Sequence, residues 1–247
     1  PGGWDNKGSA TDFDETTWYQ TLKKTLYMET LINHHAAIMD KYDKEHKVGM
    51  IVDEWGTWYD VEEGTNPGFL YQQSTMRDAL VAGLTLNIFN KHCDRVRMAN
   101  IAQTINVLQA VILTDGENMV LTPTYHIFKM YKAHAENTLL GSFLTTDYLE
   151  DKVTPVLTES ASVKEDGTIV STISNASLTE CFEVECQVAH SKVAEVSAEI
   201  VTANARDYNT FENKDAVKTT AFTDFTVTDD GFTAKIPPCS IVKFIIK

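Results

Sequence analysis

The sequence predicts an α/β segment of barrel type followed by an all-β sandwich, and three observations carry that expectation. Long amphipathic stretches alternate with two short apolar runs as far as about residue 136. From Asn137 onward Thr, Val, Ser and Ile alternate, as in Thr168-Ile169-Val170-Ser171-Thr172-Ile173. Asp-Gly pairs at 166–167 and 230–231 lie between the later apolar runs. Alternating strands and helices make a parallel sheet or barrel, whereas short alternating strands joined by Asp-Gly turns make an antiparallel sandwich. The expected division is 1–136, part of a barrel, and 137–247, the sandwich.

The elements follow in order. Residues 1–13 are a Gly- and Asp-rich loop, and Thr11 with Asp14 fits a helix start. Trp18, Leu22, Leu26, Ile32 and Met39 then recur near helical spacing, which predicts one helix over 14–43. Val48-Gly49-Met50-Ile51-Val52 reads as a fully buried parallel strand that stops at Asp53-Glu54. Gly64 and Asn66-Pro67-Gly68 mark a loop over 57–71. Met76, Leu80, Leu84 and Ile88 at steps of four predict a helix over 72–91. Residues 95–102 read as a second strand, and Pro123 opens a third helix through about Ala135. Two strands alone would leave open edges, so this part reads as a barrel whose beginning is missing. Pro1-Gly2-Gly3-Trp4 has no initiator Met, basic segment or apolar segment, so it is not a signal peptide and reads as a loop cut open.

Composition narrows the function. A chain of 247 residues, 43% hydrophobic and 23% charged, is a globular one of one large or two modest domains, not a disordered or fibrous one. Its apolar runs, such as 107–113, are far shorter than the ~20 residues of a membrane-spanning helix. A net charge of -14 argues against nucleic acid and against an anionic membrane surface, which leaves a neutral ligand. Cys93, Cys181, Cys186 and Cys239 have no regular spacing and read as free thiols of a reducing compartment, with a Cys181–Cys186 bridge as the alternative. No metal or cofactor is implied. His34 and His35 are adjacent on a helix and face different directions, and His92 at a helix end is expected to meet the terminal carbonyls. Gly-rich phosphate loops and the nucleophile elbow are lacking. Asn175-Ala176-Ser177 matches a glycosylation sequon, a weak pattern.

Reacting groups of α/β barrels sit at the C-terminal ends of strands. Glu54 occupies such an end, followed by Trp55 and Trp58. An acid beside aromatic rings suits a sugar pocket, in which rings pack on C–H surfaces and the carboxylate attacks or stabilises an oxocarbenium-like centre; the competing reading is a helix cap or an ion pair. Asp53, one residue earlier, is expected on the opposite face in a structural role. Gln103 and Asn106 end the second strand, where neutral amides either bond sugar hydroxyls or satisfy loop backbone groups.

These residues form a recognisable set. Residues 51–59, Ile51-Val52-Asp53-Glu54-Trp55-Gly56-Thr57-Trp58-Tyr59, resemble the nucleophile segment of the α-L-arabinofuranosidases of glycoside hydrolase family 51. The resemblance continues through Asn66-Pro67-Gly68-Phe69-Leu70-Tyr71-Gln72-Gln73, Arg77-Asp78-Ala79-Leu80 and Asn87-Ile88-Phe89-Asn90-Lys91-His92. It extends to Met98-Ala99-Asn100-Ile101-Ala102-Gln103 and Leu121-Thr122-Pro123-Thr124-Tyr125-His126, with Trp4 and 7–11 similar to the loop after the sixth barrel strand. The resemblance implies a (β/α)8 barrel joined to a β-sandwich, of which this chain carries strands 7 and 8. It implies a retaining hydrolase of terminal α-L-arabinofuranosides, with Glu54 as the strand-7 nucleophile and Gln103, Trp58 and Trp4 in the sugar site. The acid/base glutamate belongs to an Asn-Glu pair on strand 4, which has no counterpart in this chain. The expected partners are therefore arabinose-containing oligo- or polysaccharides and the N-terminal half of the barrel, with self-association, in the cytoplasm or periplasm of a bacterium. The competing readings are a non-catalytic sandwich module and a related retaining glycosidase such as a xylosidase.

Overall fold

The computed structural model describes residues 7–247, so Trp4 lies outside the described residues. Helix α1 (Glu15–Met39) starts where Asp14 accepts a hydrogen bond from Thr17 N at 2.8 Å. It ends short of the expected residue 43. Asp40 and Asp43 instead close on the buried guanidinium of Arg95, whose Nη1 lies 2.7 Å from Asp43 Oδ2. Strand β1 (Met50–Trp55) and strand β2 (Val96–Ile101) pair in parallel, with helix α2 (Met76–Lys91) between them in sequence. Strands β3 (Ile112–Asp115) and β4 (Asn118–Leu121) form a hairpin whose turn places Gly116 at φ +55°. Helix α3 (Pro123–Tyr131) follows, extended by a 3-10 turn over Lys132–His134.

Strand β1 is longer than expected and is not fully buried. Met50, Val52 and Trp55 pack toward the helices, while Ile51, Asp53 and Glu54 are exposed. Val52 pairs with Ala99 and Trp55 with Ile101, so β1 carries one residue more than β2 over that interval. Such a bulge breaks strict alternation. Asp53 is therefore not on a buried opposite face; it is exposed beside Glu54.

Helix α2 begins at Met76 rather than at 72. Thr75 caps it, accepting from Arg77 N at 3.2 Å while Asp78 accepts from Thr75 N at 2.8 Å. The helix is buried on almost every side, with α1 and β1 on one flank and the sandwich on the other. At Gly83 the approach to the sandwich is close, since a Cβ there would lie 2.9 Å from Ile241 Cγ1. Around Asn87 the contact is polar: its Oδ1 accepts from Tyr131 Oη at 2.7 Å, Ser160 Oγ at 2.9 Å and Thr172 Oγ1 at 2.8 Å. His92 caps α2, but its ring lies 2.6 Å from Glu29 Oε1 of α1, a side-chain partner in place of the expected carbonyls.

Strand β5 (Thr138–Leu139) follows the last helical turn, at the change of composition. The sandwich continues with β6 (Leu157–Val163), β7 (Ile169–Asn175), β8 (Phe182–Gln187), β9 (Val196–Thr202), β10 (Thr220–Ala221), β11 (Phe225–Thr228), β12 (Gly231–Ile236) and β13 (Ser240–Ile246). A sheet ordered β10-β9-β13-β7-β6-β5 faces a smaller one ordered β11-β12-β8, both antiparallel. Between them Phe232 and Phe244 stack at 4.2 Å among Ile200, Ile236 and Val242. The 166–167 turn is as expected, with Gly167 at φ +87°. At the second Asp-Gly pair the turn instead falls on Asp229 and Asp230, and Gly231 opens β12. Glycine is needed there because a Cβ would sit 1.8 Å from the Cys186 carbonyl oxygen. All four cysteines are free thiols, and burial pushes that of Cys239 up to about 12. The sequon Asn175 is buried, its amide donating to the carbonyls of Glu180, Ile236 and Pro237.

His134 is buried between Ser162 Oγ at 2.8 Å and Thr172 Oγ1 at 3.2 Å, and burial holds its pKa down at about 4. An unfolded histidine titrates near ~6.5. Above that pH both states are neutral; as pH falls from ~6.5 toward ~4 only the unfolded chain takes the proton, and about 3 kcal/mol of stability is lost. The His134→Gln variant, which bonds without titrating, is expected to lose less stability than wild type between pH 7 and 4 in urea unfolding. An offset between the two that stays constant with pH contradicts this.

Candidate active site

Glu54 is the penultimate residue of β1, with its side chain exposed, and Gln103 follows the end of β2, also exposed. The parallel pairing of Trp55 with Ile101, and the hydrogen bond from Ala102 N to Trp55 O at 3.0 Å, bring both residues to one end of the strand pair. Asn106 is spent otherwise. Its amide donates to Thr114 O at 3.1 Å and accepts from Thr114 N at 2.8 Å, pinning the β3–β4 hairpin, so of its two expected roles it takes the one toward loop backbone.

The loop after β1 is held by buried side chains. Gln109 Oε1 accepts from Thr57 N at 2.6 Å, Asp78 Oδ1 accepts from Thr57 Oγ1 at 2.7 Å, and Gln72 Oε1 accepts from Tyr59 N at 2.7 Å. Gln72, Asp78 and Gln109 are all fully buried. Burial pushes the Asp78 carboxyl above its usual range, opposed by the neighbouring Arg77 and by its bonds from Thr75 and Thr57. The Arg77 guanidinium lies between the Phe13 ring at 3.7 Å and the Tyr59 ring at 4.1 Å. Its Nη2 donates to Ser9 O and Ala10 O, which ties the segment before α1 to the same loop.

Trp58 stands between the two pinned amides of Thr57 and Tyr59. It is 36% exposed, with Lys7 Nζ 4.4 Å from its ring centroid. It also lines a cavity of about 240 Å³ between α1, α2 and this loop, together with Trp55, Met28, Leu31 and Val81. Glu54 and Gln103 do not line that cavity. Trp55 Nε1, buried at its wall, has no hydrogen-bond partner among the described residues. Among the described residues no cluster of three or more His, Cys, Asp or Glu side chains is placed to hold a metal ion, and no helix is long and apolar enough to cross a membrane. The sequence reading missed Gln72, Asp78 and Gln109. The available signal was a glutamine inside the apolar run Val107-Leu108-Gln109-Ala110.

A parallel strand pair backed by helices is thus joined to an antiparallel sandwich and presents a carboxylate and an amide at adjacent strand ends. The profile of the alpha-L-arabinofuranosidase C-terminal domain matches residues 53–240. An intracellular exo-alpha-L-arabinofuranosidase of Bacteroides ovatus is 44% identical over 97% of this chain and 48% of its own length. The crystal structure of a GH51 arabinofuranosidase from Xanthomonas axonopodis pv. citri superposes with a TM-score of 0.96 at 46% identity, over 100% of this chain and 51% of that one. An arabinose complex of the Thermotoga maritima alpha-L-arabinofuranosidase shares the fold, with a TM-score of 0.82 at 22% identity over 95% of this chain and 50% of that one. The chain belongs to the alpha-L-arabinofuranosidase C-terminal domain family, and it spans about half the length of the relatives it matches.

Gly56, at φ +123°, is forced both by conformation and by space, since a Cβ there would lie 2.3 Å from Gln109 Oε1. Gly64 shares the positive φ, +82°, but has open space around it. Gly64→Ala is expected to cost about 1–2 kcal/mol, the price of the left-handed backbone alone. Gly56→Ala is expected to cost about twice that or more in urea unfolding, and equal losses for the two variants contradict the packing account.

Proposed function

We propose that this chain is the nucleophile-bearing half of a retaining hydrolase that releases terminal α-L-arabinofuranosyl residues from arabinan- or arabinoxylan-type saccharides. Residues 1–136 contribute strands 7 and 8 of a (β/α)8 barrel, and 137–247 form its sandwich domain. The reading is carried by one observation: a carboxylate, Glu54, displayed at the end of a helix-backed parallel strand on the face turned away from the helices. The names and identities of the relatives support arabinofuranose as the sugar.

Glu54 attacks the anomeric carbon and forms a covalent arabinosyl ester as the aglycone leaves. Water then releases the sugar with net retention. Gln103 bonds sugar hydroxyls, and the Trp58 ring packs against the pentose. Protonation of the leaving group, and later deprotonation of the water, needs a second carboxyl ~5–5.5 Å from the first. That group comes from the N-terminal half of the barrel, consistent with relatives twice as long as this chain. The setting is the cytoplasm or periplasm of a bacterium; the intracellular relative and the free thiols favour the reducing cytoplasm.

Two outcomes follow from this reading. In the full-length protein Glu54→Gln keeps the shape of the site and removes the attacking charge, so turnover of an aryl α-L-arabinofuranoside should fall by about 10³-fold or more with the fold intact. Turnover at the wild-type rate rejects Glu54. Residues 1–247 alone expose Ile51 and Met98, paired across β1 and β2, and nearby Ile105. Apolar surface beside an open strand edge associates. Light scattering of the isolated chain should show self-association, or capture of the N-terminal half when that is co-expressed. A monodisperse, fully active monomer overturns the assignment of a missing half.

A further inference from the structure

Gln109 lies in the loop after β2, fully buried, with a left-handed backbone at φ +37°. One amide group there serves three groups on two other segments. Oε1 accepts from Thr57 N at 2.6 Å and from Thr57 Oγ1 at 3.3 Å, and Nε2 donates to Asp78 O in the first turn of α2 at 3.1 Å. It sits so close to the backbone of Gly56 that a Cβ at that position would overlap its oxygen. One side chain thus joins the loop that begins at Gln103 to Thr57, three residues after Glu54. Trp55, immediately after Glu54, is fixed independently by ring contacts with Phe89 at 5.5 Å and Phe128 at 5.9 Å.

We propose that Gln109 is a positioning residue for the arabinosyl-transfer step, locking the segment after Glu54 so that the Glu54 carboxylate and the Trp58 ring hold their attitudes toward the sugar. The inference rests on Glu54 being the nucleophile. The chemistry of the site asks for an amide in particular. Thr57 N needs an acceptor, Asp78 O needs a donor, and both must emerge from one planar group of glutamine length. Methionine has the length and offers neither. Glutamate offers only acceptors when ionised, but when protonated it again presents one acceptor and one donor. Burial favours the protonated form at low pH and opposes the ionised one. Misplacing a nucleophile by about 1 Å costs on the order of 10²-fold, so loss of the lock reads out in kcat more than in KM.

The test uses the full-length protein with Gln109→Met, Gln109→Glu and Glu54→Gln, assayed on an aryl α-L-arabinofuranoside alongside thermal unfolding. Q109M is expected to keep a cooperative transition while kcat falls about 10–100-fold and KM stays within about twofold. The ratio of Q109E to wild-type kcat is expected to fall as pH rises, because the donor toward Asp78 is lost on ionisation. A role in stability alone predicts a lowered unfolding temperature with kcat near wild type, and that result overturns the proposal. Should Q109M fail to fold, the Q109E ratio decides: falling over the pH range in which its unfolding temperature drops relative to wild type, the sign that the introduced carboxyl ionises, it supports the lock, and staying flat across that drop it overturns it. Wild-type turnover in E54Q rejects the nucleophile assignment itself, whereas an inactive E54Q beside an unimpaired Q109M rejects only the role of Gln109.

Discussion

Two buried glutamines have no partners to spare. Gln72 and Gln109 are sealed from water, and each bonds the main chain of the loop after β1. Leaving a buried amide unpaired costs about 1–3 kcal/mol per group, so the loop is held in the one path that satisfies both. That path fixes the exit of β1 and pins the main chain on both sides of Trp58. Asp78 closes the arrangement from α2 by accepting from Thr57 Oγ1 while it caps its own helix. The conformation at the candidate site is therefore set by groups within this chain.

Helix α2 transmits that order to the rest of the molecule. Buried on nearly all sides, it is packed against α1, β1 and the sandwich at once. A Cβ at Gly83 would crowd Ile241, and the Asn87 amide gathers hydroxyls from β6, β7 and α3. A helix so enclosed has little freedom to shift its N-terminus, where Asp78 and the Gln109 contact lie. The sandwich thus backs the helix that backs the loop. It needs no contact with a sugar to contribute to the site.

Much of the fold was legible because its signals are local. The helical spacing of Trp18, Leu22 and Leu26, the Pro123 start and the alternation from Thr168 each reflect one element meeting one core. The failures are non-local. No periodicity announces that Asp40 and Asp43 abandon α1 for Arg95, fifty-odd residues away in the chain. The bulge between Val52 and Trp55 depends on the register with β2, so strict alternation puts Asp53 and Glu54 on opposite faces although both are exposed. Asp-Gly is a local turn signal, whereas the reason for Gly231 is the Cys186 carbonyl on a different strand. At the candidate site Glu54 and Gln103 stood out by their place at strand ends. Asn106, Gln72 and Gln109 carry similar amides, and only the structure separates Gln103, which faces solvent, from these three, which bind the main chain.

Amide hydrogen exchange of the folded protein tests this account most directly. The amides of Thr57 and Tyr59, bonded to the buried Gln109 and Gln72 oxygens, are predicted to exchange as slowly as those of Leu84 and Ile88 within α2. They should be at least about 100-fold slower than the exposed amide of Glu63 in the same loop, a difference in opening free energy of about 2.7 kcal/mol. Exchange of Thr57 and Tyr59 at the Glu63 rate would mean that the loop is not clamped, and the ordering of the site would then have to come from outside this chain.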